Sequence, residues 1–413
     1  MEPLVYRRNS CRLCDSLNVG LVLKLTPSPP VDAFITADRL NEKQEPFPMD
    51  LYLCHDCGHG QLLDVVSPRL LFGSYIYTSS SSPGLVEYFR GYAAKVMDQL
   101  NPAIGTLAVD IGSNDGTLLS FFKEHGLRVL GVDPARDIAC AATDRGIETL
   151  PEFFNSKVAA RIRQERGAAT LVTANNVFAH SDNLGDMADG VRILLAAEGV
   201  FVFEVSYLLD MVQNMVFDFI YHEHLSHHSV KPLRTFLRRH GLHLFAVERT
   251  MSKGGTLRCF AQLAGGTRPE LSSVADLIQV EEQSGLYQTE TYRTWSARID
   301  REKVALKNLL QKIASEGKTI AGYGASATST VLTYHFDLGK SLRFIVDDNP
   351  VRQNRFSPGH HIPVLSSEAL RSKKPDYVLI LVWRFADMII QKNSAYLEQG
   401  GHFIVPLPKV RSV

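Results

Sequence analysis

One pattern constrains the fold of this chain more than any other. An apolar strand is broken by a glycine turn, an amphipathic helix follows, and a second strand ends in an acid. The strand, the glycine turn and the acidic strand end occur twice. Thr106-Leu-Ala-Val-Asp-Ile111 predicts a buried strand, and Gly112-Ser-Asn-Asp-Gly116 breaks it. Thr117 to His125 predicts a helix with Leu118, Leu119, Phe121 and Phe122 on one face, and Arg128-Val-Leu-Gly-Val-Asp133 the next strand. Further strands are expected at Thr170–Ala174 and Gly199–Glu204, with helical patterns between. Residues 266–318 read as helical, with Leu306, Leu309, Leu310 and Ile313 in a stripe and Trp295 one turn from Ile299. The alternation then restarts. Lys318–Gly322 is a strand, Gly322-Tyr-Gly-Ala-Ser326 a turn and Arg343–Asp348 a strand, with two more expected at Asp376–Leu381 and His402–Val405. Such alternation predicts an α/β protein whose parallel sheets are covered on both faces.

The segment before these blocks needs another device. Cys11-Arg-Leu-Cys14 and Cys54-His-Asp-Cys57 are two C-x2-C knuckles separated by 39 residues. The stretch between them is polar and punctuated by proline, and it offers little to build a core. Tetrahedral thiolate ligation supplies the missing staple. The spacing predicts a structural Zn2+ held by Cys11, Cys14, Cys54 and Cys57, a closed site with no position for catalysis. His55 and His59 lie close enough to compete as ligands. The other reading, free thiols or a redox pair, lacks the βαβ context that a redox C-x-x-C needs. Cys140 and Cys259 are singletons, expected as small buried residues.

Composition excludes more than it assigns. Lys plus Arg and Asp plus Glu both total 44, which argues against a strongly basic nucleic-acid binder or an acidic tail protein. No apolar run is long enough to span a membrane, and Met1-Glu-Pro-Leu-Val-Tyr-Arg-Arg lacks a signal-peptide core, so a cytoplasmic location is expected. A length of 413 residues predicts two to three domains.

The turns carry the chemistry. Asp110, Gly112, Ser113, Asn114 and Asp115 sit where a strand opens into a helix, whose free N–H groups suit a ligand. The pattern is not the dinucleotide G-x-G-x-x-G. Its acids would repel a pyrophosphate and suit a cofactor with a cationic amino-acid part, S-adenosylmethionine. Asp133, at the end of the next strand, is placed to accept from ribose hydroxyls. A capping role in a structural turn is the plainer reading. Asn175 and Asn176 follow a third strand and are candidates to hold the cofactor, and His180 to reach a substrate; an Asx turn with a half-exposed histidine is the alternative. Tyr221-His-Glu-His-Leu-Ser-His-His-Ser229 is the densest cluster. It offers a base, a carboxylate to orient it and a hydroxyl for an oxyanion. Runner-up readings are a metal site, with His222 and His224 on one face of a strand, and a structural cluster. Ser74-Tyr-Ile-Tyr-Thr-Ser-Ser-Ser-Ser82 places Tyr75 or Tyr77 at an interdomain pocket, or serves as a linker. In the second half, Tyr323, Gly324, Ser326 or Thr328, Asp347 and Asp348 are candidates for a diphosphate site. A purely structural turn is the alternative there too.

These motifs, in this order, resemble the S-adenosylmethionine-dependent sugar C-methyltransferases of deoxysugar pathways, the 3-C- or 5-C-methyltransferases of nucleotide-linked ketosugars. The resemblance rests on the knuckles ending in Cys57-Gly-His, Tyr-x-Tyr-x-Ser-Ser, Asp110-Ile-Gly-Ser-Asn-Asp-Gly, Asn-Asn-Val-Phe-Ala-His and Tyr-His-Glu-His-Leu-Ser. Gly-Tyr-Gly-Ala, Asp-Asn-Pro and Pro-Gly-His-His-Ile-Pro complete it. It implies a zinc-binding domain over 1–70, a class I methyltransferase domain over 71–265 and a Rossmann-like nucleotide-sugar-binding domain over 266–413. It also implies a dTDP-4-keto sugar as substrate, with His224 as base. Tyr221, Glu223, His180 and one of Tyr75 and Tyr77 would position or stabilise that substrate. Two departures fall in the last domain: Ser326-Ala-Thr-Ser-Thr330 after the second turn, and Trp383-Arg384 where the family has Trp-Asn. Both bear on which nucleotide or sugar is held. The expected reaction is methylation of the carbon next to the ketone, through an enolate, by a monomer or weak homo-oligomer without nucleic-acid or membrane partners. An O-methyltransferase, another acceptor, or a non-catalytic nucleotide-sugar binder are the alternatives.

Overall fold

The computed structural model describes residues 4–72 and 78–413. Its first large sheet has seven strands, ordered Leu242–Thr250, Thr256–Leu263, Leu195–Ser206, Ala169–Asn175, Leu107–Ile111, Arg128–Val132, Thr149–Leu150. The last five are parallel, and Thr256–Leu263 runs antiparallel to both its neighbours. Every residue of Leu107–Ile111 is buried because helices cover both faces. The chain steps outward from this strand to Thr149–Leu150. It then crosses back to Ala169–Asn175 on the other side, and that reversal opens a crevice above the strand ends. The antiparallel hairpin Leu242–Leu263 is absent from the sequence reading.

A second seven-stranded sheet follows, ordered Arg355–Phe356, Pro363–Leu365, Ile345–Val346, Ile320–Tyr323, Tyr377–Ile380, His402–Val405, Arg411–Ser412. Its middle five strands are parallel. The helix Thr289–Ser315 leads into it and buries Tyr292, Trp295, Ile299, Leu306, Leu310 and Ile313 at helical spacing.

The N-terminal segment corrects one expectation. It does carry a core: Leu23, Leu25, Met49, Leu51, Leu53 and Leu62 are buried and continuous with the main cluster. They come from short apolar runs, Leu21-Val-Leu-Lys-Leu25, Leu51-Tyr-Leu53 and Leu62-Leu63, which the intervening proline-rich polar stretch masks. Fully burying one such side chain stabilises by about 1.5–3 kcal/mol. They line a sheet ordered Ser226–His227, Gly60–Leu62, Leu51–Cys54, Val19–Leu23. Its first strand comes from the histidine cluster, with Ser226 opposite Gln61 and His227 opposite Gly60. Cys259 is buried as expected, but Cys140 is exposed. The helix Arg136–Asp144 turns Ile138, Ala139 and Ala142 inward, and Cys140 lies off that face. Among the described residues, no helix is long and apolar enough to cross a membrane.

Candidate active site

The four knuckle sulfurs converge. Cys11 and Cys57 Sγ are 3.6 Å apart, as are Cys14 and Cys54 Sγ, and all four lie within 4.8 Å of one another. A tetrahedron with Zn–S bonds of about 2.3 Å needs edges of about 3.8 Å, so the cluster fits zinc. His59 is not part of it; its Nε2 lies 3.2 Å from Ser226 Oγ. Arg12, inside the first knuckle, has a wholly buried side chain. It donates to the carbonyls of Leu62 (3.1 Å) and Leu225 (2.9 Å) and pairs with Asp182 at 2.9 Å. The knuckle therefore grips the residue after His224.

Above the first sheet lies a cavity of about 410 Å³. It brings together Asp110, Gly112, Ser113, Asn114, Asp133, Asn175, Asn176, His180, Tyr221, Glu223 and His224. Two stretches far apart in sequence, the first turn and the histidine cluster, thus share one space. Gly112 has φ +68°, and a Cβ there would lie 2.3 Å from Val177 Cγ2. Asp133 Oδ2 accepts from the Asn114 N–H (2.8 Å) and Oδ1 from the Ala135 N–H (2.9 Å). Each oxygen keeps a further lone pair for a ligand. Ser113 Oγ is buried with no partner among the described residues. Apolar Val132, Pro134, Phe153 and Met187 add a wall suited to a purine. These features fit S-adenosylmethionine. Asp110, beside Thr173 Oγ1 at 2.6 Å, is pushed up to about 7 by burial. Asp115 does not line the cavity. Its carboxylate accepts from the Ser80 N–H (3.0 Å) and Thr117 Oγ1 (2.6 Å), pinning the serine run to the helix start.

His224 is held by the backbone. Its Nδ1 lies 2.7 Å from the Phe219 carbonyl oxygen, which can only accept. The proton therefore sits on Nδ1, and Nε2 carries the lone pair. The sequence reading assigned this orienting role to Glu223; the structure assigns it to Phe219. Tyr221 lies on His224 with ring centroids 4.0 Å apart, and His180 stacks at 5.2 Å. Burial lowers His224 to about 4, so the ring is neutral at physiological pH. Burial and the charge of Asp32 raise Glu223 to about 8, so it is chiefly a neutral acid there. His222 turns away to the Phe47 carbonyl at 3.1 Å, and Tyr221 to His224 form a turn, not a strand. The metal reading of this pair is thereby corrected; among the described residues only the four cysteines form a metal-sized group.

Tyr75 and Tyr77 lie outside the described residues. Phe72 before them and Ser79 after them both line the cavity, Phe72 stacking on His180 at 5.9 Å.

Tyr323, Gly324, Ser326, Asp347 and Asp348 do not line this cavity. Asp347 accepts from the Ala325 (2.6 Å) and Asn349 (2.7 Å) N–H groups. Ser326 caps its helix reciprocally with Ser329, and Tyr323 Oη donates to Asp348 at 3.0 Å. The two departures noted in the sequence meet here. Arg384 Nη2 donates to Thr328 Oγ1 at 3.2 Å, while Nη1 holds the fully buried Asp218 at 2.8 Å. Its guanidinium also lies 4.6 Å over the Phe219 ring. A second link runs through Asp32, which meets Arg352 at 3.5 Å and lies within electrostatic reach of both Glu223 and Asp347. Sequence reasoning missed Arg12, Asp32, Asp218 and Lys253.

Three family models match the chain: "Putative zinc binding domain" over residues 11–72, "Methyltransferase domain" over 88–247 and "C-methyltransferase C-terminal domain" over 251–408. The C-methyltransferase NovU of Streptomyces niveus is 34% identical over 414 residues, covering 100% of this chain and 99% of its own. Among solved structures, magnesium protoporphyrin IX methyltransferase (ChlM) from Synechocystis PCC 6803 with bound SAH aligns at 14% identity and TM-score 0.34, covering 43% of this chain and 83% of its own. The PH0226 protein from Pyrococcus horikoshii OT3 aligns at 14% identity and TM-score 0.37, covering 45% and 94%.

Proposed function

We propose, for a chain that belongs to the NovU-like family of S-adenosylmethionine-dependent C-methyltransferases, a carbon acid as methyl acceptor. The acceptor is a nucleotide-linked 4-keto deoxysugar, with dTDP as the expected nucleotide, methylated at the carbon next to its ketone. One observation carries the proposal. His224 presents an unprotonated Nε2 in the same cavity as the first glycine turn.

The working division is a zinc-binding unit over 1–70, a methyltransferase unit over 71–265 and a nucleotide-sugar unit over 266–413. Asp110, Gly112, Ser113, Asn114, Asp133, Asn175 and Asn176 hold the cofactor, and Asp115 keeps its turn in place. S-adenosylmethionine, when bound, supplies an electrophilic sulfonium methyl and leaves as a neutral thioether. His224 Nε2 takes the proton from carbon. The Phe219 carbonyl stabilises the resulting imidazolium through Nδ1–H. The ketone oxygen gathers charge as the proton leaves. Tyr221 and neutral Glu223 are donors for it, and each such donor is worth about 3 kcal/mol. His180 and one of Tyr75 and Tyr77 complete that side. Tyr323, Gly324, Ser326, Asp347 and Asp348 belong to the nucleotide end, where Asp32 and Arg352 connect the second half to Glu223.

The test is mass spectrometry of product formed from S-adenosylmethionine and a panel of nucleotide-linked 4-ketosugars. A product heavier by one methyl, bonded to the carbon beside the ketone, is expected. Methylation on oxygen alone would replace this reading with an O-methyltransferase.

A further inference from the structure

Lys253 lines the same cavity as His180, Tyr221, Glu223 and His224, and it is the sole lysine or arginine among the described residues that do. It sits at the tip of the hairpin between Leu242–Thr250 and Thr256–Leu263. Its φ is +53°, a left-handed conformation that costs a non-glycine residue about 1–2 kcal/mol. The tip is clamped. Thr250 and Thr256 hydroxyls meet at 2.7 Å, the Gly255 N–H bonds the Ser252 carbonyl at 2.9 Å, and the Tyr207 N–H bonds the Gly255 carbonyl at 3.2 Å. A Cβ on Gly255 would lie 2.3 Å from Asp210 Cβ, and one on Gly254 2.9 Å from Arg384 Cδ. A strained, fixed backbone thus carries a cation to the cavity wall.

Nothing among the described residues consumes that cation. Lys253 makes no hydrogen bond or ion pair there. Burial lowers Lys253 from its ordinary range, and the carboxylate that counters this, Glu204, is already engaged by Tyr88 Oη (2.6 Å), Thr256 Oγ1 (3.1 Å) and Arg258 Nε (3.2 Å). Burial lowers both His180 and His224, and the charge of Lys253 reaches each ring and adds to that lowering. The ammonium therefore stands on the cavity wall within electrostatic reach of the proposed base.

We infer that Lys253 is a catalytic residue, its ammonium meeting the acceptor's carbonyl oxygen and carrying the negative charge that forms there. The inference rests on the C-methylation reading. As the carbon–hydrogen bond breaks, the proton goes to His224 Nε2. Its electron pair becomes the enolate, with the charge on oxygen against Lys253 Nζ. The enolate carbon then bonds the methyl group, the carbon–sulfur bond breaks, sulfur keeps that pair, and the carbonyl re-forms. His224 later returns its proton to water. In this step Lys253 acts as the protonated donor and neither gains nor loses a proton, so the balance needs no further reactant.

The experiment uses the full zinc-loaded chain, with K253M and K253R beside the wild type. Three quantities are read. These are deuterium uptake beside the ketone in deuterium oxide without S-adenosylmethionine, kcat and KM for the acceptor, and affinity for S-adenosylhomocysteine by calorimetry. K253M should lose about 100-fold in both exchange and kcat, as removal of one oxyanion donor does elsewhere. Its KM and S-adenosylhomocysteine affinity should stay within about threefold, and K253R should recover about tenfold of the loss. A raised KM with unchanged kcat would place Lys253 on the substrate's phosphates and overturn the inference. Exchange equal to wild type in K253M would overturn it as well. A wild type that neither exchanges nor methylates any ketosugar would overturn the C-methylation reading, and this role with it.

Discussion

The two glycine turns are wired alike and differ in what lies above them. In the first, Asp133 accepts from Asn114 and Ala135 N–H groups at 2.8 and 2.9 Å. In the second, Asp347 accepts from Ala325 and Asn349 at 2.6 and 2.7 Å. Each acid ties its own strand end to the neighbouring turn. The first turn faces a cavity of about 410 Å³ and leaves Ser113 Oγ without a partner among the described residues. The second is closed by its own side chains: Ser326 and Ser329 cap each other, Tyr323 and Lys392 both meet Asp348, and Arg384 covers Thr328. One strand–turn–helix element thus either opens onto a cavity or is covered by side chains. Neighbouring side chains decide which.

The largest effect expected from breaking this contrast is at Arg384. Arg384→Ala strands Asp218 fully buried without its cation. Loss of one partner of a buried pair costs about 3–5 kcal/mol, to be read in urea unfolding. The double variant with Asp218→Asn should recover part of it, because the uncompensated charge is gone. Equal stability of R384A and wild type would mean that the second turn is not closed by this pair.

Next come the glycines. Gly112 and Gly324 have φ +68° and +94°, and a Cβ on either would lie within 2.4 Å of a valine methyl. Gly112→Ala should weaken S-adenosylhomocysteine binding by about 100-fold, from left-handed strain and the clash combined. Gly324→Ala should leave that affinity within about twofold and raise the acceptor KM. Calorimetry separates the two. Equal loss in both would erase the distinction between the open turn and the covered one.

The smallest effect is local and depends on pH. Burial lowers His222 to about 4, below its unfolded value near 6.5. The folded state therefore binds fewer protons in between, and the stability from this group is present above about 6.5 and lost as pH falls through about 4. His222→Gln keeps a neutral donor for the Phe47 carbonyl but cannot take up a proton. Its stability relative to wild type should rise by on the order of 1 kcal/mol per pH unit on acidification through that window. Parallel denaturation curves at every pH would show that His222 does not titrate as the structure implies.

The first turn was legible because the signal is local. Glycines, a strand before and an acid after fall within one short stretch, and periodicity marks the flanking strands and helix. The same signal made the second turn look equally open. Part of what closes it, Arg384 over Thr328, joins residues 56 apart in sequence, and Asp218, which anchors that arginine, is 166 away. The orientation of His224 was misread for a related reason. Glu223 is its neighbour in sequence, but the partner is a backbone carbonyl, which sequence patterns do not reveal. The two-residue strand Ser226–His227 pairs with Gly60 and Gln61 and carries no strand signal of its own. The hairpin ending at Lys253 went unseen because Met251-Ser-Lys-Gly-Gly255 reads as a plain loop.

The central claim is that His224 removes a carbon-bound proton in the cavity the first turn opens. The direct measurement is proton NMR of a dTDP-4-keto deoxysugar in deuterium oxide with enzyme and no S-adenosylmethionine, comparing wild type with His224→Gln. Gln keeps a donor for the Phe219 carbonyl, and bound S-adenosylhomocysteine reports that the variant is folded. The account predicts that the signal of the proton beside the ketone disappears with wild type, and at least about 100-fold more slowly with H224Q. Equal exchange by a folded H224Q would contradict it and place the base elsewhere in the cavity.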